Sequence, residues 1–332
     1  MHGSRRGGLA KLLPAIAALA LFVAACGGGD NGGSGSSSSS SSSGSSSSAA
    51  NAQPGKGKPA VTIGTKDFTE EFVLGELYAQ ALRAKGYTVN VKSNIGPTEI
   101  TDKALTSGKI DAYPEYDGES VATVAGKNVL AKAPSETVKL AKDFYAKRGQ
   151  VVSNPTPFQD VDAIATTKAF AQKNNLQTLA DLKKLPSFTV GARPEFKSRF
   201  VGLAGMRKLY GITNAKFRQL ALGLQYQALD KGDVQTANVF STDAQLASGK
   251  YTVLKDPKGV FGFQQVLFVM NKKKYDAVGG PQFMAVINKV NSLLTEPAMR
   301  SMNAAVALDK KSPASVAGQF LKANGVLGGS GS

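Results

Sequence analysis

The sequence predicts an α/β fold of two α/β lobes joined by two crossing strands, and three observations carry that expectation. The folded part opens with a β-α-β-α-β order, which implies a right-handed parallel unit. The same alternation returns beyond residue 178. Between the halves, Asp162–Thr167 reads as a strand leaving the first lobe and Val266–Met270 as one returning to it. Two such lobes leave a cleft where strand C-termini and loops converge. That geometry suits capture by closure around a ligand.

Taken in order, Val61-Thr62-Ile63-Gly64-Thr65 reads as a buried strand ended by a glycine turn. From Phe68 to Lys85 the apolar residues Phe72, Leu74, Leu77, Tyr78, Ala81 and Leu82 fall at helical spacing, with Thr69 at the start. Tyr87–Val91 alternates as a strand, Pro97–Ser107 reads as a helix stopped by Gly108, and Ile110–Tyr113 begins a third strand. In the second half, Thr178–Lys184 is a short helix, Phe188–Ala192 a strand and Gly202–Tyr210 a helix. Gln225–Lys231 is a further helix ended by Gly232, and Gln235–Phe240 a strand. The C-terminal stretches Phe283–Leu294, Ala298–Ala307 and Pro313–Asn324 read as helices that pack on the first lobe.

The 332-residue chain does not begin with this fold. Arg5 and Arg6 precede an apolar run, Leu12–Ala25, broken by Pro14 and too short for a permanent membrane span. Residues 1–25 therefore read as a signal peptide. The run ends at Val23-Ala24-Ala25-Cys26, which resembles a bacterial lipobox, and Cys26 is the only cysteine in the chain. Lipid attachment is the economical role for a lone thiol at a cleavage site. Residues 27–59 are nearly all Gly, Ser, Ala, Pro and Asn, a composition that cannot order itself; a coil of that length reaches about 30 Å. The expected organisation is a lipidated cysteine and tether over 26–59, lobe 1 over 60–162 and 262–327, lobe 2 over 163–261, and a tail over 328–332.

Composition excludes much chemistry. The only histidine is His2, inside the leader, so the mature chain has no Ser-His-Asp or Cys-His arrangement and no zinc site built on His and Cys. There is no GxGxxG turn, and Gly-Lys pairs such as 108–109 and 249–250 lack the spacing of a phosphate loop. No cofactor, no metal and no enzymatic activity are expected. Arg5, Arg6 and Lys11 are the basic residues of the leader, so the net charge of +16 becomes +13 without it. The basic residues are spread along the chain with no nucleic-acid motif, which points to a solvated basic face near anionic lipid and not to a nucleic-acid partner.

Six segments, in family order, resemble the osmoprotectant-binding family of ABC importers: Ile63–Glu71, Leu74–Tyr78, Tyr113–Gly118, Pro194–Phe196, Gly223–Leu229 and Asn238–Asp243. Members bind glycine betaine, choline, carnitine and related quaternary amines. The resemblance implies a two-lobed periplasmic-binding-protein fold of type II. It also implies a cleft whose aromatic rings surround a trimethylammonium group, with ABC permease subunits as partners and a place at the outer face of the cytoplasmic membrane. The chemistry agrees, because a quaternary ammonium donates no hydrogen bonds and must be held by ring faces and anions.

Tyr116, just after a strand, and Tyr226, at a helix start in the second lobe, are the leading cage rings; Tyr113 has core parity. Phe240 stands where many relatives carry tyrosine and is either a ring of the cage or a core residue. Phe196 is a further aromatic candidate. Asp162 falls where relatives with a tyrosine cage often have an aromatic, and Asp117 adds a second carboxylate; both favour a cation without its own carboxylate. Arg193 and Arg199 would instead hold the carboxylate of a betaine or carnitine. Asp67, Thr69 and Glu71 are expected polar lining, while Thr242 and Asp243 are expected to cap the following helix. The expected ligand is choline or glycine betaine. The alternatives are another cationic or betaine-like metabolite such as ergothioneine, or an enzyme or signalling lipoprotein on the same fold.

Overall fold

A computed structural model describes residues 53–328; the leader, Cys26 and most of the tether lie outside the described residues. The first lobe runs β1 (Val61–Gly64), α1 (Thr69–Arg83), β2 (Val89–Lys92), α2 (Thr98–Thr106) and β3 (Ala112–Tyr116). It continues through α3 (Asp117–Glu119), which passes directly into π-helical Ser120–Val124, then α4 (Pro134–Lys147) and β4 (Gln150–Val152). The second lobe comprises β5 (Asp162–Thr167), α5 (Lys168–Lys173), β6 (Phe188–Ala192), α6 (Leu203–Tyr210), β7 (Ala215–Gln219), α7 (Gln225–Asp230), β8 (Thr236–Phe240) and β9 (Tyr251–Leu254). The chain then returns to the first lobe with β10 (Val266–Asn271), α8 (Lys272–Ala277), α9 (Gly280–Leu293), α10 (Glu296–Ala307) and α11 (Pro313–Ala323).

Each lobe has one five-stranded sheet, and the two share a plan. The orders are β2-β1-β3-β10-β4 and β7-β6-β8-β5-β9. In the first, β1 is parallel to β2 and β3, while β10 runs antiparallel to β3 and β4. In the second, β6 is parallel to β7 and β8, while β5 runs antiparallel to β8 and β9. Parallel neighbours need a crossover, which the helices supply. The antiparallel member of each sheet is the strand that arrives from the other lobe.

The crossings themselves differ from the expectation in detail. β5 and β10 are full members of the sheets they enter, so Asp162 belongs to the second lobe and not to the end of the first. The connection is the pair of short segments before them, joined by an antiparallel bridge between Gln159 and Gln265. The Asp160 amide donates to the Gln264 carbonyl (3.1 Å) and the Gln264 amide to Gln159 Oε1 (3.1 Å). Gly118 lies against this hinge: a Cβ there would stand 2.3 Å from the Phe263 carbonyl oxygen, so no larger residue fits.

In the first lobe, α1 buries Leu74, Leu77, Tyr78, Ala81 and Leu82 completely between the sheet and the C-terminal helices. Each of the three leucines contributes about 1.5–3 kcal/mol. The Tyr78 hydroxyl donates to Asn291 Oδ1 across this layer (2.6 Å). A second core gathers Leu179, Leu182, Val190, Phe196, Leu203 and Met206. The end of the expected tether is part of the fold: Gly55 is buried, and its amide donates to the Lys85 carbonyl (3.0 Å). Among the described residues, no helix is long and apolar enough to cross a membrane.

Candidate ligand-binding cleft

Strand direction gathers the candidate site. Parallel β1, β3, β6 and β8 all deliver their C-terminal residues to the inter-lobe edge. Because β5 is antiparallel, it delivers its first residue there instead. Asp162 is thereby the cross-strand partner of Phe240, and Tyr116 closes β3 opposite the start of β10. Phe68, extended at φ −140° just before α1, completes the set.

Three rings form a row across the cleft. Phe68 is stacked against Tyr116 on one side (centroids 6.1 Å, planes 25° apart) and Phe240 on the other (5.2 Å, 18°). Two cavities adjoin the row and share Asp67, Phe68, Asp160, Leu222 and Phe240 as lining. The smaller, of about 40 Å³, is also bordered by Lys66, Tyr116, Asp162, Arg193 and Arg199. The larger, of about 430 Å³, is also bordered by Glu70, Tyr226, Thr242, Asp243 and Asn303.

The small compartment carries paired charges. Lys66 is buried, with its ammonium 4.3 Å from the centroid of Tyr116 and in ion pairs with Glu115 and Glu71. Burial opposes that ammonium, but Glu115 and Glu71 outweigh it and hold its pKa above the usual lysine value. Burial also pushes Glu71 up to about 8 in spite of Lys66. Arg193 donates two bonds to Asp162 (2.7 and 2.9 Å) and one to Asn238 Oδ1 (2.6 Å). Burial alone would raise Asp162; Arg193 overrides it and keeps the carboxyl below its ordinary range.

The large compartment is acidic. Burial, followed by the charges of Glu70 and Asp243, pushes Asp160 well above the usual carboxylate range. Burial likewise raises Glu70, which accepts bonds from the hydroxyls of Tyr116 (2.8 Å) and Thr242 (2.7 Å) and from Asn303 Nδ2 (2.9 Å). Asp243, also raised by burial, accepts from the Tyr226 hydroxyl (2.8 Å) and the Phe240 amide (3.0 Å). Among the described residues, no group of three or more His, Cys, Asp or Glu is arranged to hold a metal ion.

The lobes touch at two places. Arg199, in the second lobe, forms two bonds to Glu99 on α2 (3.1 and 2.6 Å) and lies 3.3 Å from Glu119. Elsewhere, Thr242 reaches Glu70, and Arg300 on α10 donates to the Ser241 carbonyl (3.2 and 2.9 Å).

Of the residues singled out in the sequence, Tyr116, Asp162 and Arg199 border the small compartment, Thr69 and Tyr226 the large one, and Asp67 and Phe240 both. Three sit elsewhere. Asp117 turns into the hinge, where its Oδ1 accepts from the amides of Gly118 (2.8 Å) and Gln265 (2.9 Å). Glu71 lies beneath the cleft, accepting from the Lys66 amide (3.1 Å). Phe196 is fully buried in the second core. Thr242 and Asp243 do not cap the turn that follows, because their side chains are drawn to Glu70 and Tyr226. Phe68, Lys66, Glu70 and Asp160 were missed. The first three lie inside the Ile63–Glu71 segment, but the change from strand to helix at Thr69 breaks the alternation that would have aimed them.

Residues 59–323 match the family described as the substrate binding domain of the ABC-type glycine betaine transport system. The chain belongs to this family. It is thus the substrate-binding component of an ABC importer of the glycine betaine type, within a family of extracytoplasmic solute-binding proteins. This substrate-binding protein is 31% identical over 277 residues to a glycine-betaine-binding protein of Pseudomonas aeruginosa, covering 80% of this chain and 88% of that one. It is 29% identical over 274 residues to an ergothioneine transport permease/ergothioneine binding protein of Helicobacter pylori, covering 81% of this chain and 48% of that protein. Its fold matches the crystal structure of a glycine betaine/carnitine/choline ABC transporter with a TM-score of 0.65 at 24% identity, covering 80% of this chain and 99% of the other. The two-lobed binding-protein architecture expected from the sequence is the one observed.

Proposed function

We propose that this substrate-binding protein is a lipoprotein, anchored through Cys26 at the outer face of the cytoplasmic membrane, that captures a quaternary-ammonium solute and hands it to ABC permease subunits. Choline is the leading ligand and glycine betaine the next. One observation carries the order. The cations that would receive a betaine carboxylate are already engaged, Arg193 by Asp162, Arg199 by Glu99 and Glu119, and Lys66 by Glu115. Glu70, Asp160 and Asp243 meanwhile stand next to the rings with no cationic partner of their own among the described residues. A cation placed against these raised carboxyls would draw them towards their charged form, which a zwitterion's own carboxylate would oppose, so a net cation is rewarded over a zwitterion.

A ligand that binds only the folded protein raises its stability by about 2.7 kcal/mol at a concentration one hundred times its Kd. Choline is expected to raise the melting temperature more than equimolar glycine betaine. A larger shift with betaine would reverse the order, and no shift from choline, betaine, carnitine or proline betaine would remove the quaternary-amine reading. Ergothioneine belongs in the same panel. It is a second reading, favoured by the Helicobacter relative and by a large compartment bordered by hydrogen-bonding groups.

A further inference from the structure

Phe68 borders both compartments, as Asp67, Asp160, Leu222 and Phe240 do, and its ring stacks on both Tyr116 and Phe240. The two compartments differ about tenfold in size. The larger, about 430 Å³, falls within the roughly 300–1,000 Å³ of small-molecule sites. The smaller, about 40 Å³, falls far below it. Phe68 and Phe240 are both half-buried, Phe68 packing at the rim of the first-lobe core. Phe68 also sits on the short loop between β1 and α1, ahead of the first helical residue.

We propose that Phe68 sets the size limit of the site by splitting the cleft into a compact aromatic compartment beside Tyr116 and a roomier acidic one beside Tyr226. The proposal rests on the quaternary-ammonium reading above. Ring attraction for a cation operates within about 6 Å of the centroid. A compact trimethylammonium head on the Tyr116 side meets one face of Phe68, whose other neighbour in the row is Phe240. A head carrying a bulky substituent meets the Phe68 ring as an obstacle. Removing that ring takes one attractive face from the compact ligand and joins the two compartments for the bulky one.

The test is calorimetry on the full chain and its Phe68→Ala and Phe68→Leu variants, with choline as the compact probe and benzyltrimethylammonium as the bulky one. The wild-type chain is expected to prefer choline. Phe68→Ala is expected to weaken choline binding about tenfold, the scale of one ring face, while benzyltrimethylammonium binding holds or strengthens. Phe68→Leu, which keeps an apolar side chain, is expected to fall between, and it decides the question if the alanine variant does not fold. Equal losses for both probes, or no change for either, would overturn the proposal. A wild-type chain that binds neither probe defeats the quaternary-ammonium reading itself, an outcome distinct from any change confined to the variants.

Discussion

Tyr116 joins the ring row to the acidic compartment, because its face stacks on Phe68 while its hydroxyl serves buried Glu70. Tyr116→Ala is expected to weaken ligand binding by about 1–3 kcal/mol through lost ring attraction and lost burial. Tyr116→Phe keeps the face and is expected to cost binding much less. It leaves a buried carboxyl oxygen without its donor, however, so stability should fall by about 1–3 kcal/mol. Calorimetry and urea denaturation on the two variants separate these effects. Asp162 answers to a different rule. It is the principal counter-charge of buried Arg193, and Asp162→Ala strands that guanidinium, so a loss of about 3–5 kcal/mol in urea denaturation is expected. The sequence placed Asp162 in the cleft but left its role between ligand anion and loop charge. Its partner is 31 residues away in the chain, and only the pairing of β5 with β8 brings in Asn238 to complete the network.

At the scale of elements, caps and the hinge yield separate predictions. The Ser312 hydroxyl accepts from the Ser315 amide (3.2 Å) at the start of α11, the helix that lies against α1. Ser312→Ala should therefore cost about 1 kcal/mol in stability without altering ligand affinity. In the hinge, burial pushes Asp117 up to about 8 from an ordinary value of 3.8. The folded state thus holds this proton more tightly than the unfolded state. Its contribution to stability is complete below about pH 4 and is lost as pH rises through about 8. Asp117→Asn should flatten that slope: a melting series from pH 4 to 9 is expected to show the variant gaining on the parent towards alkaline pH. Element prediction itself was uneven for a physical reason. The interior strands Phe188–Ala192 and Asp162–Thr167 have the bounds that their apolar runs suggest. The unforeseen strands β4, β7 and β9 are all edge strands. β7 carries Lys216, Arg218 and Gln219, so its sequence lacks the signal of a buried strand.

For the whole molecule, closure and anchoring are the properties to test. Arg199 ties the second lobe to Glu99 and Glu119 of the first, with its side chain 8% exposed. Arg199→Ala should favour the open form and lower the apparent ligand affinity by the fraction of closed state lost; small-angle scattering with and without ligand follows the change in shape. Anchoring is expected to be independent of capture: Cys26→Ser should leave ligand affinity intact and release the protein from washed membranes. Retention of that variant in membranes, with the signal removed, would show that the anchor lies elsewhere.

The sequence by itself determined the two-lobed plan and the six family segments, from which residues 66–70, Tyr116, Tyr226 and Phe240 of the cleft come. Those are properties of local pattern and composition, which survive without knowledge of contacts. Tertiary structure decided which charges are free. It set Arg193 on Asp162 and Arg199 on Glu99, turned Asp117 into the hinge, and drew Glu70, Asp160 and Asp243 together from segments far apart in the chain. It also set Phe68 between Tyr116 and Phe240. The charge and shape of a cleft are sums over residues from both lobes, and those sums exist only after the lobes meet.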